Sequence, residues 1–190
     1  MNNLSFRNSF ALFLAFLVIS FSALAQQDKS KRPSPPATAK GVAAGAHITI
    51  DYSSPSVVSP QGIDRTRNIW GKLVPYDKYW RAGANEATIF TTDKDIMVGG
   101  KKLPKGSYSL FVKPVENGDW MVLFNSETGQ WGSAGEGDEE KPNFDPSKNV
   151  LEVAAHPGRT NKLNRRLNYE VNRDGFVLIW EYRELAVPIQ

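Results

Sequence analysis

The residues best equipped for chemistry fall in one short run, Trp80-Arg81-Ala82-Gly83-Ala84-Asn85-Glu86-Ala87-Thr88. Arg81 brings a planar, permanently charged fork that matches a carboxylate or phosphate. Asn85 offers both a donor and an acceptor. Glu86 accepts from hydroxyls or serves as Arg81's own partner. Trp80, with Tyr76 before it and Trp131 far downstream, supplies flat walls. Aromatic walls with a few convergent polar groups describe a pocket for a small ligand or a sugar. The ligand-binding set read from the sequence is therefore Arg81, Asn85, Glu86, Trp80, Tyr76 and Trp131. The competing reading is structural: an Arg81–Glu86 ion pair that pins a loop, a backbone angle supplied by Gly83, and tryptophans that pack as core.

Other chemistries find less support, and no catalytic residue is assigned. The chain has no cysteine and two histidines. His47 and Asp51 share one face of a strand, but positions i and i+4 lie about 13 Å apart there, too far to share a metal directly. His156 precedes a Pro157-Gly158 turn. No zinc spacing, nucleophile elbow or phosphate-binding loop occurs, so neither a metal nor a cofactor is expected. Glu136, Asp138, Glu139 and Glu140 form an acidic run that lacks the calcium-loop spacing and reads as a solvated loop. A two-carboxylate hydrolase would pair Glu86 with Asp51, Asp77 or Glu181 if folding brought them together.

The elements that must position these residues are strands. Ile48, Ile50 and Tyr52 alternate with His47, Thr49 and Asp51. Tyr108, Leu110 and Val112 alternate with Ser107, Ser109 and Lys113, although Phe111 is apolar on the second face. Leu167, Tyr169 and Val171 form another such set, and Phe176, Leu178, Trp180 and Tyr182 a fourth. Gly99-Gly100, Asn117-Gly118-Asp119 and Arg173-Asp174-Gly175 are hairpin turns between runs of this kind. The strongest helical stretch is one turn near Tyr76 to Arg81, too short to stand alone. The pattern predicts an all-β domain, a single antiparallel sandwich of about eight strands. Two long connections interrupt it. Residues 53–84 are aromatic-rich and are expected to pack over one end of the sandwich. Residues 125–149 are rich in glycine and acids, with 132–140 expected to be mobile.

The start of the chain has the three parts of a secretory signal: Arg7, an apolar run over residues 10–21, and the small-x-small site Ala23-Leu24-Ala25. The organisation expected is a signal peptide over 1–25, a disordered Pro-rich linker over 26–46, and the β-sandwich domain over 47–190. The apolar run is short for a bilayer span, an uncleaved anchor being the alternative; no membrane span is expected after cleavage. The protein is placed in the periplasm or outside the cell. The 23 basic and 20 acidic residues nearly balance, and no dense basic stripe is present, which argues against nucleic acid as a partner.

Several runs carry a family resemblance. They are Ile50-Asp51-Tyr52-Ser53-Ser54-Pro55-Ser56-Val57, Ile69-Trp70-Gly71-Lys72-Leu73-Val74-Pro75-Tyr76, the Trp80–Thr88 run, Leu103-Pro104-Lys105-Gly106-Ser107-Tyr108-Ser109-Leu110, and Gln130-Trp131-Gly132. In order and spacing they resemble a family of exported bacterial proteins known as domain of unknown function twenty-nine eleven. The resemblance implies an exported β-rich domain and carries no activity or catalytic residue with it. Residues 58–64 look like an insertion between the first two motifs. The leading expectation is a small-ligand or glycan-binding module of the periplasm or cell envelope, not an enzyme; the alternatives are the two-carboxylate hydrolase and a structural envelope protein without a ligand.

Overall fold

A computed structural model describes residues 28–134 and 141–190. The expected signal peptide and the acidic run lie outside the described residues. Contact density divides the chain into a leading unit that ends at Arg32 and a compact unit, Pro33–Gln190. Of the leading unit, the described part is a single 3-10 turn, Lys29–Lys31, in which the Ser30 amide donates to the Asp28 carboxylate.

The compact unit is antiparallel β throughout. Twelve strands are described: β1 (Pro36–Ala43), β2 (Ala46–Ser53), β3 (Thr88–Thr92), β4 (Ile96–Val98), β5 (Lys101–Leu103), β6 (Gly106–Lys113), β7 (Trp120–Asn125), β8 (Ser133–Ala134), β9 (Lys141–Pro142), β10 (Asn149–Ala155), β11 (Pro157–Asn172) and β12 (Gly175–Pro188). Six of them form the main sheet, in the order β1-β2-β3-β6-β7-β10. The long β11–β12 ribbon forms the second layer. The β4–β5 hairpin joins that layer, since Met97 and Gln190 exchange two backbone hydrogen bonds of 2.8 Å just past the end of β12. The result is a sandwich, as the alternation predicts, with more numerous strands than expected.

The core lies between the layers. Ile48, Ile50 and Tyr52 of β2 are buried while His47 and Asp51 face out, as their period of two requires. Phe90, Phe124 and Phe176 meet there in edge-on and tilted contacts. Phe111 points to the opposite face of the main sheet. There it forms a second small cluster with Ala87 and Leu123, covered by Tyr79 and Phe144. That cluster explains why β6 is apolar on both faces.

The expected disordered leader needs correction. Pro36–Ala43 pairs residue for residue with β2, from Pro36 opposite Ser53 to Ala43 opposite Ala46. This stretch has few large apolar side chains because small ones are what fit. A side chain at Gly41 would come within 2.7 Å of the Val171 carbonyl oxygen on β11. The stretch holds its place by backbone hydrogen bonds and by Ala39 and Ala43, both buried, which composition alone does not reveal.

No α-helix occurs among the described residues, and none there is long and apolar enough to cross a membrane. The connection 53–84 packs onto the core as expected: Val57, Ile69, Val74 and Ala82 are essentially inaccessible. The helical turn considered near Tyr76 is instead irregular chain that extends the edge of β6. The Asp77 amide donates to the Pro114 carbonyl, and Trp80 and Val112 exchange backbone hydrogen bonds of 2.7 and 2.8 Å.

Candidate functional site

One irregularity in the second layer shapes the surface that matters. Along β12, Phe176, Leu178 and Trp180 are buried, but further on the buried residues are Leu185 and Val187. The parity changes at Glu181, which sits at φ +57. The pairing register with β11 shifts on both sides of Asn164, the residue opposite Glu181. This is a bulge, and it turns the strand over. Tyr182, expected on the buried face with Trp180, is rotated out and half-exposed; this expectation is corrected by the same bulge.

Beside the bulge lies an open cleft of about 650 Å³, lined by Arg67, Trp70, Tyr76, Arg159, Glu181, Tyr182 and Arg183. Arg159 and Arg183 face each other directly across β11 and β12. Directly opposed residues place their Cβ atoms about 5 Å apart, and like charges in that relation repel. Arg67 enters from the connection 53–84, in the left-handed region at φ +66. Its amide donates to Glu181 Oε1 at 3.1 Å, and the Tyr182 amide donates to Oε2 at 2.7 Å. Both oxygens of the buried Glu181 carboxylate are thus occupied by backbone donors. Glu181 is a clasp that holds the loop to the bulge. Its main-chain carbonyl also accepts from the Asn164 side chain at 3.2 Å. Residues held in sparsely populated backbone regions cluster at functional sites, and two such residues meet here through one hydrogen bond.

Aromatic packing supports the cleft from beneath. Trp70 contacts Trp80, Trp120 and Trp180 at ring-centre separations of 5.8, 4.6 and 5.9 Å. The Trp70 indole N–H is buried with no hydrogen-bond partner among the described residues. The Tyr76 ring lies against Gly71, where a side chain would approach it to 2.6 Å and where φ is +80. Glycine there lets the loop fold tightly and seats the tyrosine ring.

The six residues singled out from the sequence are divided by the fold. Tyr76 lines the cleft. Trp80 stacks on Trp180 at 5.9 Å, and its indole N–H donates to the Gly83 carbonyl at 2.9 Å, so it belongs to the tryptophan cluster behind the cleft. Arg81, Asn85, Glu86 and Trp131 assemble elsewhere. Glu86 and Trp131 form an isolated antiparallel bridge, and the Gly132 amide donates to the Asn85 carbonyl at 3.1 Å. Asn85 adopts φ +60 and its side-chain amide donates to the Ser34 carbonyl at 3.0 Å. The aliphatic stem of Arg81 packs on Gly132 so closely that any side chain at 132 would collide with it. Trp131 keeps 49% of its surface exposed.

Ala82, buried at φ +51, accepts from Tyr169 Oη at 2.7 Å and from Thr88 Oγ1 at 3.1 Å. Gly83 contributes close approach and not a backbone angle: a side chain there would lie 2.7 Å from Thr88 Oγ1 and 3.2 Å from the Ser53 carbonyl.

The carboxylates considered as partners of Glu86 have other tasks. Asp51 is exposed on β2 and accepts from Thr38 Oγ1 at 2.6 Å. Asp77 sits at φ +62 in the chain that borders β6. Among the described residues, no three His, Asp or Glu side chains converge in a way that would hold a metal. Residues 58–64 form a small turn closed by a Val58–Asp64 bridge, and none of them lines the cleft.

The family model described as protein of unknown function (DUF2911) matches residues 34–189. The chain belongs to the DUF2911 family. That match begins two residues before β1, in agreement with the strand's place in the main sheet and against a linker reaching to residue 46. No curated protein and no solved structure matches this DUF2911 chain. The arginine pair, Arg67 and Glu181 are recognisable only once the bulge is seen. They are scattered over more than a hundred positions, and no local sequence pattern joins them.

Proposed function

We propose that this DUF2911 chain is an exported binding module for small, negatively charged ligands, acidic sugars included, and that the cleft beside Glu181 is its binding site. The observation that carries this reading is the Arg159–Arg183 pair. Two arginines on directly opposed strand positions, with Arg67 lining the same cleft and the Glu181 carboxylate already occupied by backbone amides, stand in an unfavourable arrangement that an anion relieves. The volume suits a small organic molecule, and aromatic rings beside polar groups are the usual furnishing of such sites.

Export is supported by Arg7, the apolar run and the Ala23-Leu24-Ala25 site. The intact mass of protein recovered from cells expressing the full chain tests it. A start at Gln26 is expected, and an unprocessed chain in the cell interior contradicts export. For binding, a thermal-shift series with acetate, citrate, sulfate and sugar phosphates is expected to raise the melting temperature with at least one anion. A ligand at a hundred times its Kd adds about 2.7 kcal/mol to stability. Uncharged sugars are expected to give no rise. A rise that persists undiminished in Arg159→Ala/Arg183→Ala contradicts the site.

A further inference from the structure

The same cleft narrows the ligand class. We infer that it takes a phosphate monoester carried on a ring, in the doubly charged form, in preference to a singly charged carboxylate or sulfate ester. This rests on the anion-binding reading above and goes beyond it.

The first argument is charge. The lining holds three arginines and one carboxylate, which leaves two positive charges uncompensated. A monoanion leaves one of them unmet beside its like-charged neighbour, whereas a phosphate monoester carries nearly two negative charges at neutral pH. The second is geometry. Guanidinium groups bind planar edges in a bidentate manner, and a tetrahedral phosphate presents three terminal oxygens, enough to engage arginines from more than one direction. Arg159 and Arg183 come from two adjacent strands and Arg67 from a separate loop, so the donors reach the cleft from three elements. The third is size. The cleft is much larger than an oxyanion, and Tyr76, Trp70 and Tyr182 line it together with the arginines. Those rings fit a flat or ring-shaped body with hydroxyl groups.

The pH dependence separates the charge states. The charged and titratable groups of the lining are Arg67, Arg159, Arg183, Glu181, Tyr76 and Tyr182, and neither histidine is among them. The arginines stay charged throughout. Weakening on mild acidification must then come from the ligand, whose second proton binds near pH 6.

The test is isothermal titration of the protein, expressed from the full-length chain, with glucose 6-phosphate, glucose 6-sulfate, inorganic phosphate and glucose. Glucose 6-phosphate is expected to bind about tenfold more weakly at pH 5 than at pH 7.5, following its dianion fraction. Glucose 6-sulfate is expected to bind more weakly than the phosphate at pH 7.5, with affinity that does not fall on acidification. Tyr76→Ala is expected to weaken glucose 6-phosphate and leave inorganic phosphate unchanged. Equal affinities for phosphate and sulfate esters, with flat pH profiles, overturn the dianion inference and leave the anion cleft standing. Inorganic phosphate binding as tightly as the sugar ester overturns the ring component. No heat with any of the anions overturns both the inference and the reading on which it rests.

Discussion

Arg81 and Arg183 each stand beside an irregular stretch of backbone, yet their surroundings differ in kind. Around Arg81, irregularity is spent on closing the chain upon itself. Ala82 and Asn85 adopt positive φ, the Ala82 carbonyl accepts from two side chains, Gly83 touches β2, and Gly132 lies flat on the arginine stem. Around Arg183, the irregular residues turn side chains outward. Glu181 holds the Arg67 backbone in place, and three arginines line a volume that no protein atom fills. A dense run of chemically capable residues can mark a place where backbone must be stitched. A site can instead be assembled from residues far apart in sequence by a single bulge.

This comparison can be broken first at Gly83. Gly83→Val forces a side chain into Thr88 and the Ser53 carbonyl. Overpacking of this kind costs about 3 kcal/mol, measurable by urea denaturation, and whatever remains folded should keep its anion affinity. A variant as stable as the parent would mean that the stitched region is looser than described. Glu181→Ala is next. It removes a buried acceptor of two amides, and charge-assisted bonds of that kind contribute about 2 kcal/mol. Because Arg67 loses its clasp, this variant should also weaken anion binding, an effect that Gly83→Val lacks.

Tyr169→Phe probes the stitched side more gently. Its hydroxyl donates to Ala82, which keeps the Thr88 donor, so the loss should be about 1 kcal/mol. Burial, with Tyr52 nearby, pushes the Tyr169 hydroxyl well above the ordinary tyrosine range. The folded state therefore retains a proton that the unfolded chain releases from about pH 10 upward. Stability should fall as pH rises beyond that point, and the fall should be shallower in Tyr169→Phe. An identical alkaline profile would contradict the burial argument. The smallest stability effect belongs to Arg159→Ala. Removing one of two opposed cations should raise stability in the ligand-free protein by a few tenths of a kcal/mol at low salt, and added salt should erase the gain.

The two regions were unequally legible in the sequence. Strand alternation such as Ile48-Thr49-Ile50, and turns such as Gly99-Gly100, report local geometry directly, so the sandwich could be read from them. The packing of residues 53–84 was legible through their aromatic content. β1 was not, because Pro36–Ala43 holds its place by main-chain pairing and close approach, and neither leaves a hydrophobic pattern. The cleft was hidden for a related reason. Continuing the period of two through Trp180 places Tyr182 inward, and nothing in the strand's composition announces that Glu181 turns it over. Of the six residues proposed to bind a ligand, Tyr76 alone lines the cleft, singled out by its aromatic neighbourhood, while Glu181 was considered only as a carboxylate partner of Glu86.

The most direct test of the central claim compares three proteins expressed from the full chain, titrated with glucose 6-phosphate at pH 7.5: the parent, Arg159→Ala/Arg183→Ala, and Trp131→Ala. Trp131 is the exposed aromatic of the stitched region. The double variant is expected to lose at least tenfold in affinity while remaining folded, and Trp131→Ala is expected to bind as the parent does. Loss of binding in Trp131→Ala, with parental affinity in the double variant, would move the site from the cleft to the Arg81 region and contradict the account.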